Sequence, residues 1–229
     1  MPRQSDDAYA RLKADIVLGR LAPGSEHTEL ELAEAYGLGR AAVRVALTRL
    51  GEIRLVAAVP RRGFVIAPVT AKSIRDLFET RLIVEPPVAR LAAGRVDGAE
   101  LRRIDQAVPV RATAAERLEF LNANHAFHLR IAEATGNARL AEIIEGLLDE
   151  MCRLINLGLF GAEDGSSEDP AGQRRQQHQH AALISALEEG DGEAAERIAR
   201  AHIESSYLMA REQLLERSLQ IDFQDLPGR

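Results

Sequence analysis

The 229-residue chain contains no tryptophan and only one cysteine, and aromatic residues make up 4% of it. Without a second cysteine, Cys152 cannot close an intrachain disulfide; it reads as a small core residue in a protein of a reducing compartment. No apolar run approaches the roughly 20 residues that a membrane-spanning helix needs. The opening MPRQSDDAYARLK lacks the apolar core of a secretory signal. These absences predict a cytoplasmic protein with no membrane partner. Few aromatics beside abundant Ala, Leu, Glu and Arg favour helix over sheet. One local absence says more. Residues 37–50, GLGRAAVRVALTRL, hold three arginines and no acidic residue, in a chain of net charge −6.

Charge is unevenly spread along the chain. Residues 1–70 carry ten Lys/Arg against eight Asp/Glu, and the remainder 19 against 27. Between 40 and 62, six arginines accompany the single Glu52. Two parts of the chain therefore face different partners. In the first part, Ala8, Leu12 and Ile16 recur at helical spacing up to Gly19. Thr28 followed by Glu31 is a capping-box signature for a short helix to Tyr36, with Leu30, Leu32 and Ala33 as its apolar residues. After Gly37 and Gly39, residues Val43, Ala46, Leu47 and Leu50 mark the inner side of a third helix. Two β-prone runs, 55–59 and 64–67, then flank Pro60-Arg61-Arg62-Gly63, a hairpin with a basic tip. This order predicts a winged helix-turn-helix over residues 1–70. Its third helix belongs in the major groove of a double-stranded DNA operator, with Arg40, Arg44 and Arg49 on its outer faces. Arginine there can pair bidentately with guanine or neutralise phosphate. Arg61 and Arg62 would reach the adjacent backbone or minor groove. A carboxylate within 37–50 would repel phosphate, which accounts for its absence.

After Thr70 the pattern is helical throughout, with helices expected near 72–94, 98–108, 114–135, 138–158, 173–190 and 192–218. The polar stretch 160–172 reads as a surface loop. The predicted fold is mainly α: the N-terminal winged helix-turn-helix with its small β-hairpin, then an all-α antiparallel bundle of about six helices over residues 71–229. Three histidines fall on apolar faces. Asn124 and His128 share a face with Leu121, Ile131 and Ala132. His180 leads the stripe Leu183, Ile184 and Leu187, and His202 lies in line with Ala195, Ile198, Ala199 and Met209. A lone histidine in such a place is usually a hydrogen-bonded core residue. Three on separate helices, with an amide one turn from one of them, are how metal sites are built inside bundles. Three imidazoles and an oxygen suit a divalent ion, Zn²⁺ or Ni²⁺. His125 and His178 read as surface or bystander residues, and His27 has no evident partner. Arg81 interrupts the stripe Ile74, Leu77, Phe78, Val84, Val88. It either snorkels out of the helix or waits in a pocket for the carboxylate of a small effector. Pro86-Pro87 should kink or break that helix. Two alternatives use the same histidines: a metal-dependent enzyme in which the site activates water, and a metal-only sensor. No carboxylate stands out as a general base beside Asn124 and His128.

The stretch LKADIVLGRLAPGSEHTELELAEAYGLGRAAVRVALTRL, followed by RRGFVI, resembles the DNA-binding domain of the GntR family of bacterial transcription regulators. The shared features are I-x-x-G-x-L-x-P-G, the E-L-A helix start, R-x-x-V-R-x-A-L and the wing glycine. The resemblance implies a cytoplasmic homodimer, most often a repressor, in which Arg40 and Arg44 are the main operator contacts and Arg49, Arg62 and Gly63 assist. Gly39, Ala41, Ala42 and Val45 depart from the family's Ser, Thr-Pro and Glu; losing the Ser cap for Gly costs a few tenths of a kcal/mol. Residues 73–210 resemble the helical effector domain called FCD, through DLFETRLIVEPPVARLAA, NANHAFHLRIAEATGN and HQHAALISALEEGDGEAAERIARAH. That resemblance implies a metal held by Asn124, His128, His180 and His202, with Asp191 as the marker between the last two, and an effector carboxylate on Arg81. Asn124 stands where Asp is usual, which removes a negative charge from the ligand set.

Overall fold

The computed structural model describes residues 4–107, 116–159 and 170–217. Helix α1 (Gln4–Val17) buries Ala8, Leu12 and Ile16 along one line. Helix α2 (Glu29–Tyr36) opens on the expected capping box: the Thr28 hydroxyl accepts from the Glu31 N–H, and the Glu31 carboxylate accepts from the Thr28 N–H. It stops at Gly37, whose left-handed φ of +63° suits glycine. Leu30 faces solvent, so only Leu32 and Ala33 of its apolar residues join the core. Helix α3 (Arg40–Glu52) buries Val43, Ala46, Leu47 and Leu50 against α1 and α2. Strands β2 (Val56–Val59) and β3 (Gly63–Ile66) form the hairpin, with Val56 opposite Ile66 and Val59 opposite Gly63.

A third strand escaped the sequence reading. β1 (Glu26–His27) pairs with the free edge of β3, giving the order β1-β3-β2. Two residues carry no alternation to detect, and the preceding LAPGS reads as a turn. This strand explains Gly63, whose φ is +109° and where a Cβ would lie 2.5 Å from the His27 carbonyl oxygen. It also gives His27 a partner, the Ser25 hydroxyl 2.7 Å from Nε2.

From Ala71 every described element is a helix: α4 (Ala71–Ala92), α5 (Gly98–Gln106), α6 (Arg117–Ala134), α7 (Ala138–Leu159), α8 (Pro170–Glu189) and α9 (Gly192–Arg217). Of the expected loop 160–172, residues 160–169 lie outside the described residues, and Pro170 already begins α8. Positions 108, 114, 115 and 218 at the expected helix ends also lie outside them. The predicted break at Pro86-Pro87 does not occur; α4 runs through both. Pro86 leaves the Leu82 carbonyl without its intrahelical donor, and Arg200 of α9 brings Nη1 to 3.5 Å from that oxygen. Pro87 and Ile83 face solvent, where water can serve the second carbonyl. Among the described helices α4 and α9 make the most extensive pair, which braces the segment from outside.

One stripe of α7 docks the N-terminal helices onto the bundle. Asp149, Cys152, Arg153 and Asn156 are all buried, at the spacing of one helix face. Asp149 accepts from Lys13 Nζ at 2.7 Å. Cys152 packs with Val17, Leu18, Phe120, Leu121 and Ile155, and burial pushes its thiol up to about 12. Arg153 donates to the Ala67 carbonyl in the connection to α4, and Asn156 and Leu157 border Gly19.

Candidate functional site

Three helices bring their imidazoles to one point inside the bundle. His128 (α6), His180 (α8) and His202 (α9) are buried, and one ring nitrogen of each lies within 4.8 Å of the others. Ring centroids are 5.3 Å apart for His128–His180, 5.2 Å for His128–His202 and 4.7 Å for His180–His202. Phe127 stacks on His180 at 4.1 Å and fixes its plane. The rings border a cavity of about 50 Å³ that Arg81, Asp105, Phe120, Asn124, Met151 and Ile155 also line. Asn124, one turn before His128, is thus on the same cavity as the three histidines.

The donor set suits a cation. Burial first, then the neighbouring His180, hold the imidazoles of His128 and His202 well below the usual histidine range, so both are neutral near pH 7. Neutral imidazole is the ligating form. Asp105 of α5 lies 2.6 Å from His180 Nδ1, while His180 Nε2 is buried with no hydrogen-bond partner. A carboxylate on one ring nitrogen and a bare second nitrogen is the arrangement that metal-binding histidines use. The Gln179 amide oxygen lies 3.3 Å from His202 Nδ1 in the same manner. The residues present therefore fit a divalent ion, with His128, His180 and His202 holding it and Asn124 at hand as an oxygen donor.

Arg81 does not snorkel. It is 1% exposed and pairs with Glu85, one turn on in α4, through Nε to Oε1 and through Nη2 to Oε2 at 3.2 Å. Its Nη1 is buried and has no partner. Glu85 Oε2 is also 3.9 Å from His128 Nδ1. Glu85 thus occupies one edge of the guanidinium and leaves the Nη1 side open.

On α3, Arg40 and Arg44 lie side by side with side chains about 60% exposed. Both are held by Glu29 of α2. Arg49 is not on their face. Nine residues separate it from Arg40, and at 3.6 residues per turn that is about half a turn. It stacks over the Tyr9 ring at 4.0 Å and pairs with Asp6 of α1. At the hairpin tip Arg61 has φ +66°, and Arg62 pairs with Glu26 of β1 at 2.9 Å.

Comparison with known proteins decides the class. The family model for bacterial regulatory proteins of the gntR family matches residues 4–66. The FCD domain model matches residues 76–205, more than half of the chain. The chain belongs to the GntR family and carries an FCD domain. As a GntR regulator it is similar to the HTH-type transcriptional repressor RspR of Escherichia coli, 26% identical with 86% of this chain and 84% of the relative covered. It is also similar to the galactonate operon transcriptional repressor of Escherichia coli, 26% identical with 89% and 95% covered. The solved structure of E. coli McbR/YncC has the same fold, with a TM-score of 0.75 at 22% identity over 93% of this chain and all of the other. The regulator is therefore a DNA-binding transcription regulator and not an enzyme, which removes the hydrolytic reading of the histidine site. None of its described helices is long and apolar enough to cross a membrane.

Sequence reasoning missed several groups at these sites. Glu85 carries a detectable signal, since it follows Arg81 by four residues on the same stripe. Asp105 and Glu29 come from elsewhere in the chain, and only the fold brings them in. His125, expected to be a bystander, is largely buried with Nε2 3.2 Å from Asp149; its neighbours Asn124 and Ala126 give no sign of that partner. His178 is exposed, as expected.

Proposed function

We propose that the regulator is a homodimeric repressor whose bundle senses a small carboxylate at a divalent metal ion, and whose α3 arginines hold the operator. The observation that carries this reading is the convergence of three imidazoles on a cavity that is also lined by Arg81, whose Nη1 is buried without a hydrogen-bond partner. The metal supplies a Lewis-acidic centre for one oxygen of the acid. Arg81 supplies charge and direction for the carboxylate, and the Phe120, Met151 and Ile155 walls exclude water from it. A cavity of about 50 Å³ has room for only a few water-sized groups, at roughly 10–15 Å³ each. That favours an acid of few carbons.

The cavity walls offer the route to DNA. Phe120 and Ile155 line the cavity and also pack, in one apolar cluster, against Val17 and Leu18 at the end of α1 and just beyond it. Displacing either ring or branched chain repacks the seat of the DNA-binding head. A preference of 1–3 kcal/mol for one seating is enough for regulation. Dimerisation is supported by α4, where Ile83, Pro87 and Leu91 recur every four residues and are exposed; a second copy covering this stripe would fix the spacing of the two heads. Repression is supported by the relatives RspR and the galactonate operon repressor, both of which are transcriptional repressors.

The test is a gel shift on the regulator's own upstream DNA, with and without chelator and a panel of small hydroxy and keto acids. The acid should release native protein from DNA. The Arg81→Ala variant should bind DNA as native and ignore the acid. A variant released like the native protein, or a native protein released by no acid in the presence of metal, contradicts the reading.

A further inference from the structure

The DNA-facing surface contains one acid that the sequence pattern does not foresee. No carboxylate occurs within 37–50, yet the fold inserts Glu29 between the two exposed arginines of α3. Glu29 is the first residue of α2, directly after the capping Thr28, and its side chain is only 15% exposed. It accepts from Arg44 Nε at 2.8 Å, Arg44 Nη2 at 2.7 Å and Arg40 Nε at 3.1 Å. The Arg44 hydrogen bond, more than any other contact, lowers its carboxyl to about 2, so it is ionised at any working pH. On electrostatic grounds alone the residue is misplaced, since it weakens attraction to phosphates.

The geometry of the contacts supplies a reason. A guanidinium has two donor edges, Nε/Nη2 and Nη1/Nη2. Glu29 takes the inner edge of Arg44 and the Nε of Arg40. No described residue hydrogen-bonds to Nη1 of either arginine. The outer edges that match guanine O6 and N7 therefore stay available, while two otherwise mobile side chains are held to one direction. We propose that Glu29 is a positioning residue for base readout: a fixed carboxylate that orients Arg40 and Arg44 toward guanines and exchanges some phosphate attraction for sequence discrimination. This rests on the reading of Arg40 and Arg44 as operator contacts.

The test measures two affinities by fluorescence anisotropy for the full chain: for duplexes that the native protein selects from a randomised pool, and for a scrambled duplex of equal length. A correct bidentate pair discriminates by roughly 5- to 150-fold. Glu29→Ala should lower the ratio of selected to scrambled affinity by about tenfold or more, with scrambled binding unchanged or tighter. Glu29→Gln, which keeps the size and one acceptor, should lower it less. Four results overturn the proposal. In one, both affinities rise equally and the ratio holds, so Glu29 only shields charge. In another, both fall together with the melting temperature, so it only supports α2. In the third, Arg40→Ala and Arg44→Ala keep the native preference, so the operator reading itself fails. Loss of preference in the arginine variants alongside an unchanged ratio in both Glu29 variants rejects the positioning role and leaves the operator reading intact.

Discussion

Replacing Asp149 with asparagine should loosen the joint between head and bundle. Asp149 is 3% exposed and accepts from Lys13 Nζ at 2.7 Å, with His125 Nε2 lying 3.2 Å away. Burial alone would lower the Lys13 pKa, but its hydrogen bond to Asp149 and the charge behind it leave the pKa raised, so the pair is net attractive. Breaking a fully buried pair costs about 3–5 kcal/mol. The Lys13 side chain is 25% exposed, and water reaching it reduces that to about 2–3 kcal/mol. For a chain of this size, that is a drop of about 5–10 °C in melting temperature. The assay is urea and thermal unfolding of Asp149→Asn, Lys13→Met and the double variant. The two single losses should not add, and a coupling of about 1–3 kcal/mol should remain between the positions. The same single variant should blunt the DNA response to the acid more than DNA binding itself. An Asp149→Asn protein within about 0.5 kcal/mol of native, or additive effects, refutes the joint as described.

Other predictions concern the cavity. The imidazoles of His128 and His202 sit well below the ordinary histidine value of 6.5 in the folded chain. The unfolded chain then binds more protons below pH 6.5, so stability of the metal-free protein is full above that pH and falls as pH drops beneath it. By pH 5.5 the two groups together should remove about 2–3 kcal/mol, which denaturant melts at several pH values would measure. Bound metal should raise stability at each pH without flattening that loss, because the ligating nitrogens carry no proton in the folded chain while the unfolded chain still takes protons up. Asp105→Asn leaves the three imidazoles in place but takes the charge from His180 Nδ1. Its metal affinity should fall about 10- to 100-fold in a chelator competition titration, with the melting temperature of the metal-free protein changed far less.

Much of the fold is legible in the sequence because its elements are long and periodic. Leu12, Ile16, Val43, Leu47 and Leu50 lie on the buried faces that their spacing assigns, and so do His128, His180 and His202. What was not legible depends on a partner from elsewhere in the chain. β1 exists because β3 offers it an edge. Pro86-Pro87 fail to break α4 because α9 braces the helix and Arg200 approaches the freed carbonyl. Arg49 lies half a turn from Arg40, a fact the sequence contains, but its capture by Tyr9 and Asp6 requires the α1–α3 contact. Arg81 lines the cavity as its stripe implies, though it is already paired with Glu85, which the proposed acid would have to share it with or displace.

The account depends most directly on an ion held by three helices. Native protein, His180→Ala and His202→Ala should be dialysed against zinc and against nickel, then chelator-washed and analysed for metal. Native protein should retain about one ion per chain and the two variants almost none, with the release of DNA by the acid lost in step. Equal metal contents in all three proteins, or a native protein that retains none while still answering the acid, would contradict it.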